Sequence, residues 1–144
     1  MPIHARLLGI AGAVLMPLSL FLDWYAVKQG ATGDNARIEV SGWDVFESTD
    51  ALMTVAALAT VLVVATAPRH AGRVLMAIGA LVAGFVTVQL IDRPATLLFV
   101  DRSDVSLQVG AWLGLLGALL IGLAGALADR PVKDQPGLRA SNSA

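Results

Sequence analysis

The sequence predicts an all-α membrane protein, an antiparallel bundle of four transmembrane helices with a small extracellular cap. Four apolar stretches divide the 144 residues, and none holds a charged residue or a histidine in its interior. Each stretch is close to the ~20 residues that an α-helix needs to cross ~30 Å of hydrocarbon. Only 15% of the residues are charged. Apolar residues lie on all faces of each predicted helix, whereas a helix of a soluble bundle has one apolar and one polar face. We therefore expect the lipid bilayer to be the solvent of this chain.

The four helices and their connections make one predicted transmembrane domain, residues 1–128, followed by a flexible cytoplasmic tail, 129–144. The helices are placed at about 6–23, 50–67, 72–92 and 106–128, with outer loops at 24–49 and 93–105. The side with the termini carries six Lys and Arg against two acids, and the loop side carries four against nine. Because Lys and Arg concentrate in cytoplasmic loops, we expect a multi-pass protein of the plasma (inner) membrane with both termini in the cytoplasm.

Helix 1 ends in Leu22-Asp23-Trp24-Tyr25. A cleaved signal peptide would end in small residues, whereas Trp and Tyr at a helix end are typical of an interfacial anchor. We therefore expect helix 1 to remain as the first span. The long loop that follows alternates polar and apolar residues around a turn, which predicts a β-hairpin of about Tyr25–Gln29 with Arg37–Val40.

The outer cap is predicted to be built on aromatic residues. Ser41-Gly42-Trp43-Asp44 matches a helix capping box, and Phe46 follows Trp43 at a helical spacing of three. Trp24, Trp43 and Phe46 are therefore the expected cap residues. Three carboxylates fall at the outer ends of helices 1, 2 and 3, namely Asp23, Asp50 and Asp92. They form either an acidic rim for a hard cation such as Ca²⁺ or ordinary helix-end charges without a metal.

Helix 4 carries the strongest packing signal. Gly110 and Gly114 form a small-xxx-small motif, and Gly117 and Gly122 continue the small-residue faces. Small residues let helix backbones approach closely in lipid. Either both faces pack within the bundle, or one packs there and the other packs against a second protomer. Gln89 and Gln108, near the outer ends of helices 3 and 4, are expected to share a hydrogen bond.

Motifs for chemistry are missing from the sequence. It has no cysteine, no phosphate-binding glycine loop, no nucleophile elbow, no HExxH and no basic stripe for nucleic acid. His4 and His70 fall at the cytoplasmic ends of the helices, away from where axial haem ligands would lie. We therefore expect no enzyme activity, no cofactor and no nucleic-acid partner.

Two resemblances concern the first part of the chain. Arg6–Gly12, Phe21–Tyr25 and Ser41–Phe46 resemble uncharacterised small four-helix membrane proteins common in actinobacteria. The order of Trp24, a strand-bearing loop and Gly42-Trp43 is also similar to the claudin and peripheral-myelin-protein group of tetraspan proteins. That group has a Gly-Leu-Trp motif and a cysteine pair in this loop, and this chain lacks both the Leu and the cysteines. The second resemblance therefore implies an architecture only.

These observations predict a non-enzymatic tetraspan protein, a structural or accessory subunit that forms a homo-oligomer or joins a larger membrane complex. The alternative is a small channel or carrier lined by Thr54, Thr60, Thr87 and Gln89. A third hypothesis is an enzyme that acts on lipid at the acidic rim, although no nucleophile and base can be paired in it. The channel requires its four side chains to share one water-filled cavity.

Overall fold

The fold combines a helical bundle with a small sheet at one end. The computed structural model describes residues 1–28, 37–41, 49–91 and 105–129. Within those ranges it has four helices and three strands. In chain order they are α1 (Ile3–Leu20), β1 (Asp23–Lys28), β2 (Arg37–Ser41), α2 (Thr49–Thr66), α3 (Ala71–Ile91), β3 (Val105–Leu107) and α4 (Val109–Ala128).

The helices support the prediction of a membrane protein. Among the described residues, α1, α3 and α4 are long and apolar enough to cross a membrane, and α2 contributes a shorter apolar helix, Ala51–Thr66. Helix α1 begins at Ile3, three residues earlier than predicted. Two further boundaries also differ from those predicted. Helix α1 stops at Leu20 and α4 starts at Val109, because the residues beside them belong to β1 and β3.

Helix α4 lies between α1 and α3 and packs extensively on both, while α1 also packs on α2. Residue pairs show that α1 and α4 run antiparallel: Gly12 lies against Gly117, and the later residue Ser19 lies against the earlier Gly114. Helices α2 and α3 touch the least of the neighbouring pairs, although only the turn at 67–70 separates them. The two helices therefore diverge and leave a groove between them.

The sheet has the strand order β2-β1-β3, with both pairs antiparallel. In the β1–β2 hairpin Val27 pairs with Ile38, which confirms the predicted hairpin. Strand β3 was not predicted; its Ser106 pairs with Ala26 of β1. Because β1 follows α1 and β3 precedes α4, the sheet joins the end of α1 to the start of α4, and these two helices pack together.

Large apolar side chains divide into a buried core and an exposed belt. The fully buried ones are Met16, Leu20, Trp24, Tyr25, Met53, Leu75, Val82, Val86 and Ile121. On the outward faces, Leu58 of α2 is 65% exposed, Leu81 of α3 61% and Leu119 of α4 55%. A soluble monomer rarely exposes so much aliphatic surface together, so this belt is consistent with a membrane protein.

Candidate functional site

The candidate site is the junction where the sheet is attached to the helices, and Trp24 lies at its centre. The Trp24 side chain is fully buried against α4. A Cβ added to Gly110 would lie 2.6 Å from its Cδ1 atom, and one added to Gly114 would lie 3.1 Å from its Cζ2 atom. The indole N–H donates a hydrogen bond of 2.7 Å to the carbonyl of Ser19. The two glycines thus form the seat for a tryptophan of the same chain.

Tyr25 attaches the sheet to a third helix. Its side chain is fully buried, and its hydroxyl donates a hydrogen bond of 3.0 Å to the carbonyl of Gln89 near the end of α3. The interpretation of Trp24 and Tyr25 as an interfacial anchor is therefore wrong, because both side chains are buried within the protein. Successive strand residues normally point to opposite faces, but the register shifts between Asp23 and Tyr25. An irregularity of this kind re-aims side chains, and both aromatic residues are buried.

Backbone and hydroxyl bonds complete the junction. The Gln108 N–H, just before α4, donates to the carbonyl of Trp24 over 2.9 Å. The Ser106 hydroxyl donates to the carbonyl of Ala26 over 3.2 Å. The sheet is therefore connected to α1 through the chain, to α3 through Tyr25 and to α4 through Trp24 and Gln108. We call this set of contacts the cap junction.

The glycines of α4 that the sequence analysis named contact other residues of the same chain. Gly110 and Gly114 face Trp24, and a Cβ on Gly117 would lie 2.9 Å from Met16 Cγ on α1. Gly122 faces α3, with the Cα of Gly79 4.0 Å from its ideal Cβ position. These positions accord with the alternative in which both faces pack within the bundle. Self-assembly through these glycines stays a prediction.

The acidic rim is only partly within the described residues. Asp23 is partly exposed in β1 and lies opposite Ser41. Asp50 belongs to α2 but its side chain lies outside the described residues, as do Asp92, Trp43 and Phe46 altogether. Among the residues that are described, no three His, Cys, Asp or Glu side chains group closely enough to hold a metal ion. The cation site therefore stays a prediction.

Polar side chains of the helices do not meet in one cavity in the described part of the chain. Thr60 is buried and bonds the carbonyl of Ala56 over 2.8 Å, whereas Thr87 is exposed and bonds that of Ala83 over 2.7 Å. Thr54 is exposed on α2. Back-bonding to the carbonyl four residues earlier is the usual way a helix satisfies a threonine hydroxyl. The described hydrogen bonds of Thr60 and Thr87 are thus made within their own helices, which is a structural role.

The expected hydrogen bond between Gln89 and Gln108 does not form. The Gln108 amide donates instead to the Ser106 hydroxyl over 3.3 Å. Gln108 has an extended backbone, with φ −111° and ψ 176°, because it joins β3 to α4 and precedes the first helical residue. Its side chain therefore turns back along the strand, and Gln89 takes part in the cap junction through its carbonyl.

Two apolar grooves run along α3. The groove between α3 and α4 has a volume of about 350 Å³. It is lined by Met76, Gly79, Ala80, Ala83, Ala118, Leu119, Gly122, Leu123 and Ala126. The groove between α2 and α3 has a volume of about 270 Å³ and is lined by Leu52, Val55, Ala56, Ala59, Ala77, Ile78, Leu81 and Val82. Both linings are made of apolar residues, as expected of surfaces that face hydrocarbon.

Comparison with known proteins gives no relative from which a role could be transferred. No family model, no curated protein and no solved structure matches the chain. The resemblances to actinobacterial four-helix proteins and to the claudin group therefore stay predictions. What the chain does has to be inferred from its own contacts.

Proposed function

We propose that this chain is a non-enzymatic integral membrane protein whose four helices all cross the plasma membrane, with both termini in the cytoplasm. It acts as a structural or accessory subunit, through its outer cap and through contacts between helices. The cap is a preformed surface for another subunit, whether a second copy or a different membrane protein. No cofactor takes part.

Support for four spans comes from length, packing and surface. Helix α2 has 18 residues, which gives about 27 Å of helix and nearly covers the ~30 Å of hydrocarbon. It packs on α1 and exposes Leu58 and Leu62, at 65% and 64%. A helix with this outward surface needs lipid as much as the other three helices do. Six Lys and Arg on the side of the termini against four on the other favour the proposed orientation.

The cap junction is the observation that carries the accessory role. Trp24, Tyr25 and Gln108 hold the sheet to three helices by buried contacts and hydrogen bonds. A surface fixed in this way loses little conformational entropy when a partner binds. A chain with no ionisable side chain inside its apolar stretches also lacks the groups that proton pumps and ion-coupled transporters place at membrane depth. A structural role accounts for both features.

The test is the size of the particle extracted from native membranes in mild detergent. We expect a mass well above that of one 14.9 kDa chain with its detergent. Trp24→Ala should reduce the large particle, because it empties the seat on Gly110 and Gly114 and loosens the cap. Trp112→Ala serves as the control, because Trp112 lies on the outward face of α4 and is 55% exposed.

Circular dichroism in detergent shows whether each variant keeps its helices, so that loss of assembly is separated from loss of fold. A wild-type particle of single-chain mass would contradict the proposal. So would a large particle that persists in a helical Trp24→Ala variant, because assembly would then not depend on the cap.

A further inference from the structure

The groove between α3 and α4 occupies one half of the bundle, the half nearer the chain termini. On α3 its lining begins at Met76, five residues after the start of the helix, and reaches Ala83 near the middle. On α4 it extends from Ala118 to Ala126, close to the end of that helix. In the proposed orientation the groove therefore opens into the cytoplasmic leaflet and stops near the centre of the bilayer.

Two arginines come shortly before the α3 lining of this groove in the chain. Arg73 precedes Met76 by three residues and Ala80 by seven, so it shares their face of α3. Arg69 lies one turn earlier, in the connection to α2, and both side chains are exposed. The first turn of α3 holds no acidic residue. Two positive charges thus lie at or just before the start of α3, at the end of that helix where the groove begins.

Carboxylates near the two arginines are few. Within the described ranges, the nearest acidic residue to the start of α3 is Asp129, whose Cβ lies 2.9 Å from the position of a Cβ added to Gly72. Asp129 is exposed at the end of α4. One exposed carboxylate against two guanidinium groups leaves this end with an excess of positive charge. An anion brought here would gain from both arginines.

Size and charge together select the occupant. A neighbouring helix is ~10 Å across, so only one face of it could enter a groove of about 350 Å³. A hydrocarbon chain is thinner and flexible, and it has no polar group that the aliphatic lining would leave unsatisfied. A molecule that carries such a chain and an anionic head at the membrane surface is an anionic phospholipid.

We propose that the α3–α4 groove, with Arg69 and Arg73, is a binding site for one anionic phospholipid of the cytoplasmic leaflet. An acyl chain lies along Ala80, Ala83 and Gly122, and the headgroup phosphate faces the two guanidinium groups. This proposal rests on the membrane placement proposed above. The bound lipid fills the groove beside the close contact of α3 and α4.

The first test measures lipid selectivity by native mass spectrometry of the full chain, released from nanodiscs that contain equal amounts of phosphatidylglycerol and phosphatidylcholine with identical acyl chains. We expect wild type to retain phosphatidylglycerol preferentially. The double variant Arg69→Gln, Arg73→Gln should lower that preference by about fivefold for each arginine removed. Arg6→Gln is the matched control, because Arg6 is also exposed at this end but belongs to α1. A loss in the control as large as the loss per arginine in the double variant would overturn the site.

The second test fills the groove. Ala80 lines the groove and is exposed, so Ala80→Leu should reduce retention of both lipids. Ala65→Leu, an identical change at an exposed position of α2, should leave retention unchanged. Unchanged lipid retention in a folded Ala80→Leu protein would overturn the groove as the acyl-chain site. Displacement of the lipid by millimolar inorganic phosphate alone would do so as well, since the headgroup would then account for all the binding.

Failure of the membrane placement gives a different result. A chain that does not insert would be absent from the nanodiscs altogether. A chain that inserts but retains both lipids equally would contradict only the lipid site.

Discussion

At the scale of single residues, Gly79 sets the distance between α3 and α4. A Cβ added at this position would meet the backbone nitrogen of Gly122 and lie 2.6 Å from its Cα. The converse does not hold, because the nearest atom to a Cβ on Gly122 is the Gly79 Cα at 4.0 Å. The contact is therefore asymmetric, although the two glycines face each other. The predicted role of Gly122 in helix packing depends on a residue of α3 that the sequence did not single out.

This asymmetry makes the two glycines a matched pair for mutation. Gly79→Ala should lower the free energy of unfolding by about 1–3 kcal/mol, the usual effect of forcing a methyl group into a packed contact. Gly122→Ala should change it by less than about 0.5 kcal/mol, as at sites without such contacts. Denaturant titration in a fixed detergent gives both values. Equal losses from the two substitutions would contradict the described approach of the helices.

Ala67 ends α2 in a left-handed conformation, with φ 42°. Its N–H bonds the carbonyl of Val63 over 2.9 Å, the bond of a helix end that normally has glycine at this position. Ala67→Gly should raise the free energy of unfolding by about 0.5 kcal/mol. Glycine removes ~1–2 kcal/mol of backbone strain from the folded state, and this gain exceeds the cost of ordering the more flexible unfolded chain.

Ala65→Gly is the control for this change. Ala65 lies in the last turn of α2 and is exposed, so glycine there should lower the free energy of unfolding, by at most about 1 kcal/mol, through its poor helix propensity. The two substitutions are chemically identical and two residues apart, and they are expected to act in opposite directions in the same unfolding assay. A loss of stability in Ala67→Gly as large as in Ala65→Gly would contradict the left-handed helix end.

At the scale of elements, strand β1 connects the bundle with the cap. It pairs with β2 on one side and β3 on the other, and Gln108 continues the β3 ladder with a bond from its N–H to Trp24. The short strand β3 therefore determines how α4 enters the bundle. Its three residues, Val105–Leu107, form a strand because β1 lies beside them.

Two proline substitutions separate the effect of the Gln108–Trp24 hydrogen bond from the effect on helix formation. Gln108→Pro removes the N–H that bonds Trp24 and forces a φ of −111° toward about −65°. It should therefore lower the free energy of unfolding by about 1–3 kcal/mol. Val109→Pro should have little effect, because proline suits the first helical residue and Gln108 is already extended, as a residue before proline prefers. Comparable losses in both variants would contradict the role of the Gln108 bond.

The sequence predicts those elements that have a local cause. Uninterrupted apolar length predicts the helices, and alternation around a turn predicts the β1–β2 hairpin. Strand β3 depends on pairing with residues about 80 positions earlier, and no pattern within Val105–Leu107 shows it. The burial of Trp24 was missed for a related reason. A tryptophan after an apolar helix is typical of an interfacial anchor, and only the glycines of α4 reveal its seat.

At the scale of the whole molecule, the surface is divided between a part suited to hydrocarbon and a part suited to water. The middle of each helix exposes aliphatic side chains, whereas the described charged residues lie near the helix ends and in the sheet. Exposure of this surface to water is unfavourable. Exposure to hydrocarbon is not, since the helices satisfy their own backbone hydrogen-bonding groups. The proposed lipid site and the proposed accessory role both depend on this placement.

The most direct test of the placement is the accessibility of single cysteines to a water-soluble maleimide in intact membranes. The chain has no cysteine of its own, so each label reports one position. Cysteines at Ile10, Leu58, Leu81 and Leu119, which are 45–65% exposed and lie one on each helix, should resist labelling until detergent is added. His70→Cys should react only from the cytoplasmic side, and Glu39→Cys only from the outer side. Labelling of the four helix positions as fast as these two controls, in intact membranes, would contradict the account.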